Sequence, residues 1–283
     1  MSLAVYLELP ARGLTVFVVD TGQPAGEPVV LLHGMLTTGE NGFRGEIAAL
    51  SDRYRVIVPD ARGHGRTLGP PEPFSFHVLA LDTIALVEAL GVRRAHFVGF
   101  SLGAMELLVL ARLRPDLVRS LVLMGGGPCF DEATRHQIAR ISASPPSSLL
   151  QRLTEWHEPA QGKGAAQRLL AQWRQLSLSG ELALTPAELQ EIAAPTLLLF
   201  GDRDPFYAAD LPIRMRAALP HAELCIVPNS GHAVNLANPA LVQLAIRQFL
   251  ARHPLSAEEL PAGRGAGRAE DAPSGDEDPI GMG

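Results

Sequence analysis

The tightest constraint on this chain is the stretch Phe97-Val98-Gly99-Phe100-Ser101-Leu102-Gly103-Ala104-Met105. Residues 95–100 are apolar, β-branched or aromatic with almost no polarity, the pattern of a strand buried on both faces. From 102 to 112 the composition turns to Leu, Ala, Met and Glu, which favours helix. A serine caught between strand and helix sits on a tight, strained turn, and Gly99 and Gly103 supply the room it needs. A hydroxyl held out at the end of a strand in this way is a candidate nucleophile.

The flanking sequence repeats the alternation of strand and helix. Strands are expected at 14–20, 28–33, 54–59, 118–124, 196–200 and 223–227, most of them continuous apolar runs. Helices are expected at 44–50, 75–90, 211–218 and 239–251. Between 128 and 193 the alternation stops, and four amphipathic pieces follow at 131–141, 147–156, 165–176 and 186–192. The reading is an α/β fold: a mostly parallel central sheet flanked by helices, with residues 1–127 and 194–253 as its core and 128–193 as an inserted helical cap. Residues 254–283 fall to Gly, Pro, Ala and acidic residues and are expected to be a disordered tail.

Composition narrows the function classes. The net charge of −6 is concentrated in that tail, whose seven acids and two arginines contribute −5. The nearly neutral body offers no basic footprint for nucleic acid and no electrostatic reason to bind a membrane. No apolar run reaches spanning length, and residues 1–13 lack the pattern of a secretion signal, so a cytoplasmic location is expected. Cys129 and Cys225 lack metal-ligand spacing and read as buried free thiols.

A serine hydroxyl is a weak nucleophile at neutral pH and needs a positioned base, itself oriented by a third group. Both candidates follow expected strands: Asp204 in Gly201-Asp202-Arg203-Asp204-Pro205, and His232 in Ser230-Gly231-His232. In a parallel sheet those loops share an edge with the Ser101 turn, so the three side chains can converge. Asp202 is the rival acid and reads otherwise as a turn cap. His64, flanked by glycines, reads as a structural hydrogen-bonding residue, and Asp60 and Arg62 as a strand-end network. His33 is expected to hold the loop that follows it; His96, His77 and His157 are expected to be surface or satisfied histidines. Glu106, behind the nucleophile, reads as one half of a structural ion pair. Trp156 and Trp173 have helical spacing and suit core packing or substrate stacking.

Taken in order, His33-Gly34, Asp60-Ala61-Arg62-Gly63-His64-Gly65, Gly99-Phe100-Ser101-Leu102-Gly103 and the Asp204 and His232 loops resemble the α/β-hydrolase superfamily over roughly residues 14–252. Within it the chain is similar to small capped esterases, enol-lactone hydrolases and cofactor-free haloperoxidase-like enzymes. Ala104 departs from the glycine of many relatives, and serine stands where relatives that open epoxides or displace halide carry aspartate. The resemblance places the acid at Asp204 and an oxyanion hole on the backbone N–H groups of Met35 and Leu102. It implies hydrolysis of a small to medium, mainly apolar ester or lactone through an acyl-enzyme, without metal or organic cofactor. Leu36, Phe130, Trp156, Phe206 and Val234 are the expected substrate contacts. An acidic substrate would need a cation, for which Arg135, Arg140, Arg152, Arg168 and Arg174 are candidates in the cap. Perhydrolysis and C–C bond hydrolysis use the same triad, and a non-catalytic ligand-binding protein is the remaining alternative. A monomer and a homodimer fit the sequence equally.

Overall fold

The computed structural model describes residues 3–22, 26–256 and 258–260. One sheet is built from β1 (Leu3–Leu9), β2 (Leu14–Asp20), β3 (Glu27–Leu32), β4 (Tyr54–Pro59), β5 (Ala95–Phe100), β6 (Val118–Met124), β7 (Thr196–Gly201) and β8 (Ala222–Val227). Seven of these fall on the expected runs. β1 does not: the sequence assigns residues 3–9 no element. It is an edge strand, paired antiparallel with β2 from Leu3↔Asp20 to Leu9↔Leu14, and it leaves Tyr6 55% exposed. A half-solvated edge strand lacks the unbroken apolar run by which central parallel strands are recognised.

The strand order is β1-β2-β4-β3-β5-β6-β7-β8. β2 runs antiparallel to both neighbours and the remaining pairings are parallel. Alternate residues of each strand go to opposite faces. On one face Val30, Leu32, Phe97, Leu121, Leu123 and Leu198 meet the layer that contains Leu86, Leu107 and Met215. On the other, Val29, Leu31, Val98, Val122 and Leu197 pack with Phe43, Ile246 and Phe249. The helices that supply these layers are α1 (Gly39–Leu50), α2 (Phe76–Ala89), α3 (Leu102–Leu113), and, after the insertion, α8 (Leu211–Ala218), α9 (Val234–Ala237) and α10 (Pro239–Ala251). α1 starts five residues before the expected helix: the Thr38 side chain caps it by accepting from the Asn41 N–H, and a kink at Phe43 separates its glycine-rich first turn from the apolar remainder.

Between β6 and β7 lie α4 (Glu132–Ala143), α5 (Ser147–Gln161), α6 (Ala165–Leu178) and α7 (Pro186–Gln190). α6 packs against both α4 and α5. Ile138, Leu169, Trp173 and Leu176 of this insertion close over Met35, Phe76, Leu102 and Met105 of the sheet-bearing part. α5 runs past the expected end at 156 because Pro159 is accommodated within its last turns. α7 corrects the expected cap boundary. It packs against α8, and its Leu189, with Ile192, enters the core layer rather than the roof.

The start of the expected tail lies against the body, with Leu255 buried and Glu259 paired with Arg94. The rest of it, 261–283, is outside the described residues. Among the described residues no helix is long and apolar enough to cross a membrane.

Candidate active site

Ser101 joins β5 to α3 at φ 51° and ψ −110°, a left-handed conformation that costs a non-glycine residue roughly 1–3 kcal/mol. The surroundings hold it there. Its N–H donates to the Met124 carbonyl on β6 (2.8 Å) and its carbonyl accepts from the Met105 N–H (3.0 Å). The turn is possible only because α3 lies almost on the strands. A Cβ on Gly103 would stand 2.1 Å from the Leu32 carbonyl oxygen, and one on Gly99 would stand 2.5 Å from the Gly103 carbonyl carbon.

The loops after β7 and β8 bring the expected partners to this hydroxyl. His232 Nε2 lies 2.9 Å from Ser101 Oγ, and His232 Nδ1 lies 2.9 Å from Asp204 Oδ2. An ionised carboxylate only accepts, so Nδ1 carries the proton and Nε2 is free to accept the serine proton. The Asp204 side chain is 2% exposed, and its second oxygen accepts from the Phe206 N–H at 2.8 Å. Phe206 also lies against the imidazole, with ring centroids 4.6 Å apart. Asp202 has a separate task. Its Oδ1 accepts from the Ser230 N–H (2.9 Å), which ties the β7 loop to the loop carrying His232. The N–H groups of Ser230 and Asn229 stabilise its charge and lower its pKa.

The loop after β3 lies against Ser101: a Cβ on Gly34 would be 3.4 Å from Ser101 Cβ. His33 fixes its orientation. Its Nε2 accepts from the Ala61 N–H (2.9 Å), so Nδ1 carries the proton and donates to the Gly34 carbonyl (2.8 Å). The Gly34 carbonyl and the Met35 N–H belong to one planar peptide and point in opposite directions, so fixing one aims the other. Leu102 opens α3, where the first N–H groups have no carbonyl a turn earlier to bind. The arrangement can therefore bring two backbone donors, a nucleophile and a base to one carbonyl group.

Behind that loop His33, His64 and His157 form a buried row, with successive ring centroids 5.1 and 5.5 Å apart. His64 presents one ring nitrogen to the Arg62 carbonyl (2.9 Å) and the other to the Met35 carbonyl (2.6 Å). Burial pushes His33 and His64 down to about 4 and His157 to about 2, and His33 and His157, each accepting a backbone N–H, are neutral at pH 7. His157 reaches in from α5, where its Nδ1 accepts from the Gly65 N–H at 2.8 Å. His96 bonds Ser120 and Glu27, whereas His77 is exposed. The strand-end network exists: Asp60 accepts from the Gly39 and Arg66 N–H groups, and Arg62 makes a forked pair with Asp82. Glu106 corrects the expectation of an ion pair. It accepts from the Thr83 hydroxyl at 2.6 Å, and burial raises its pKa to about 8, which leaves it protonated at neutral pH. Cys129 and Cys225 are free and half-buried rather than buried.

Comparison with known proteins accords with this geometry. Residues 27–144 match the family model described as alpha/beta hydrolase fold. A protein of Agrobacterium fabrum named, as an inferred activity, carbamate hydrolase RutD is 30% identical over 262 residues, covering 83% of this chain and 97% of that one. The chain belongs to the α/β-hydrolase family. This α/β hydrolase is also 26% identical over 269 residues to a Synechocystis protein named, again by inference, a non-heme chloroperoxidase, with coverages of 84% and 95%. In fold it is similar to the 2-hydroxy-6-oxo-6-phenylhexa-2,4-dienoate hydrolase of a Rhodococcus strain, at a TM-score of 0.75 and 20% identity over 88% of this chain and 99% of that one.

Beside Ser101 and His232 the hydrolase has a cavity of about 340 Å³. Its lining includes Met35, Leu36, Trp156 and Phe206, as the sequence suggests. Phe130 and Val234 do not line it. Phe130 packs on Phe76 beneath the insertion, and Val234, with no exposed surface, points into the core under the sheet. Leu102 is 4% exposed and contributes to the apolar cluster under the roof. Sequence reasoning misses Ile141, Leu149 and Leu236, which also line the cavity, and Trp173 lines it while packing in the roof. Helical spacing would have found Leu149, seven residues before Trp156 and so on the same face of α5.

Proposed function

We propose that this α/β hydrolase is a serine hydrolase that cleaves a carboxylic ester or lactone of small to medium, mainly apolar character. The observation that carries the reading is the continuous relay from Ser101 Oγ through His232 to Asp204, with both links at 2.9 Å. His232 takes the serine proton as Oγ attacks the substrate carbonyl, and the negative charge moves to the carbonyl oxygen. The N–H groups of Met35 and Leu102 receive that charge, a contribution of about 10²–10³ in rate for each such donor. The carbon–oxygen bond to the leaving alcohol breaks, and the alcohol departs with the proton from His232. His232 then draws a proton from water, which attacks the acyl-serine and releases the acid while Ser101 recovers its proton. Asp204 holds the imidazole tautomer and stabilises its transient charge.

The cavity volume is that of a small-molecule site, and its apolar walls suit an acyl or alcohol portion of moderate size. A carbamate presents the same kind of carbonyl to this machinery, and carbamate hydrolase is the activity named for the Agrobacterium relative. The test is turnover of p-nitrophenyl esters from acetate to decanoate, with carbamate analogues, by the native protein and a Ser101→Ala variant whose folding is verified. Native turnover is expected, with kcat lower by roughly 10⁵–10⁶ in the variant. If the native protein turns over none of them and a fluorophosphonate fails to label Ser101, the reading is wrong.

A further inference from the structure

The cavity beside Ser101 contains one feature that a purely apolar ester does not use. Of the five arginines in the insertion that the sequence offers as a cation for the site, the structure brings Arg152 to the cavity wall. The others are committed or lie elsewhere. Arg135 donates to the Ser177 carbonyl, Arg168 donates to the Lys163 and Gln161 carbonyls, and Arg174 lines a separate groove with Gln167 and Leu178. Arg140 is exposed and is not part of the cavity wall.

Arg152 is placed there by helix periodicity. Leu149, Arg152 and Trp156 occupy one face of α5, three and four residues apart, and all three line the cavity. Leu153 and His157, on the adjacent face, are buried, Leu153 against Ala166 and Leu170 of α6. The Arg152 side chain is exposed, so it stands where the cavity meets solvent. Among the described residues no carboxylate or carbonyl engages its guanidinium, and none of the residues lining the cavity is acidic. Glu155, the nearest acid along α5, is taken by the Gln151 amide at 2.8 Å. Arg12, Arg55, Arg62, Arg112, Arg114, Arg247 and Arg252 are paired with acids, and of the arginines without an acidic partner among the described residues Arg152 is the one that lines the cavity beside Ser101. A fork of donors with no protein acceptor, at the edge of the cavity that holds Ser101, suits a planar anion.

We propose that Arg152 anchors a carboxylate on the substrate, so that the preferred ester or lactone carries an acidic group at the end remote from the scissile carbonyl. This deepens the ester-hydrolase reading and rests on it. The carboxylate enters with its charge facing solvent and Arg152, while the apolar chain between carboxylate and ester lies along Leu149 and Trp156. Because the guanidinium is partly hydrated and screened by salt, it selects by a moderate factor and acts on binding more than on the chemical step.

The experiment pairs mono-p-nitrophenyl adipate with p-nitrophenyl hexanoate, which have equal chain length and differ by the terminal carboxylate. The ratio of kcat/KM between them is measured for the native protein and for Arg152→Gln, Arg152→Lys and Arg174→Gln, with background hydrolysis taken from Ser101→Ala. The native ratio is expected to favour the adipate ester and to fall by about tenfold in Arg152→Gln, chiefly through KM. Arg152→Lys retains part of the preference, 0.5 M salt erodes it, and Arg174→Gln keeps the native ratio. An equal ratio in native protein and Arg152→Gln overturns the proposal while leaving ester hydrolysis intact. Binding gives a readout independent of turnover. Monomethyl adipate and methyl hexanoate are titrated calorimetrically into Ser101→Ala with and without Arg152→Gln. Tighter binding of the acidic ester that disappears without Arg152 supports the anchor even if no p-nitrophenyl ester is cleaved. Equal binding of the two esters refutes it.

Discussion

In the proposed reaction Ser101 depends on the groups that hold His232 in place, and the two aspartates of one loop divide the work. Asp204 faces the imidazole, while Asp202 ties the β7 loop to the Ser230 backbone. Asp204→Asn is expected to lower kcat by about 10⁴, since an amide can present a donor to Nδ1 and stabilise the wrong tautomer. Asp202→Asn is expected to lower it by less than about tenfold, because the amide oxygen still accepts the Ser230 N–H. Ester turnover by the two folded variants checks the division, and a larger loss in Asp202→Asn would reverse the assignments. Ser101, His232 and Asp204, which the structure brings successively within hydrogen-bonding distance of one another, were legible in the sequence because each sits in a glycine-marked turn after an expected strand. The partners of buried charges were not. The Arg62–Asp82 pair joins residues 20 positions apart, and nothing local to Glu106 distinguishes an ion pair from a protonated carboxyl bonded by Thr83.

At the scale of elements, the strand–turn–helix unit around Ser101 depends on contact between α3 and the end of β3. A Cβ at Gly103 would meet backbone, which cannot rotate away as a side-chain tip can. Gly103→Ala is therefore expected to destabilise the fold by at least about 1–3 kcal/mol and to displace Leu102 from the carbonyl site. Urea unfolding gives the first effect, and ester turnover under conditions where the variant is folded gives the second. Elements buried on both faces were readable because burial writes itself as an unbroken apolar run. β1 and the glycine-rich first turn of α1 were missed because an edge strand and a capped, kinked turn take their stability from pairing and from Thr38. α7 was grouped with the roof because its sequence position follows α6, but Leu189 packs with the core layer. Amphipathic spacing reveals that a helix has an inner face and is silent about which layer receives it.

Across the whole molecule, the buried histidines couple stability to acidity. His33 and His157 accept backbone N–H bonds as neutral rings, at about 4 and 2, well below the 6.5 of an exposed imidazole. The unfolded chain therefore binds protons that the folded chain refuses. Stability contributed by the neutral rings is complete above pH 6.5 and is lost as pH falls below it, with a slope approaching about 2.7 kcal/mol per pH unit from the two together, opposed by about 1.4 from Glu106, whose raised pKa makes the folded state hold a proton that the unfolded chain releases in the same range. Urea titrations at pH 7, 6 and 5 are expected to show this fall, and His157→Gln to flatten it; a profile level between pH 7 and 5 would contradict it.

The relay at the site also spans nearly half of the chain, with His232 placed 131 positions after Ser101. Synthesis proceeds from the N-terminus, so a growing polypeptide carries an ordinary alcohol at residue 101 until β7 and β8 have joined the sheet. In the proposed reaction, chemistry begins only when the edge of the sheet opposite β1 is in place. Recovery of esterase activity during refolding would thus time the last step of assembly, whereas tryptophan emission from Trp156 and Trp173 would time the closing of the roof.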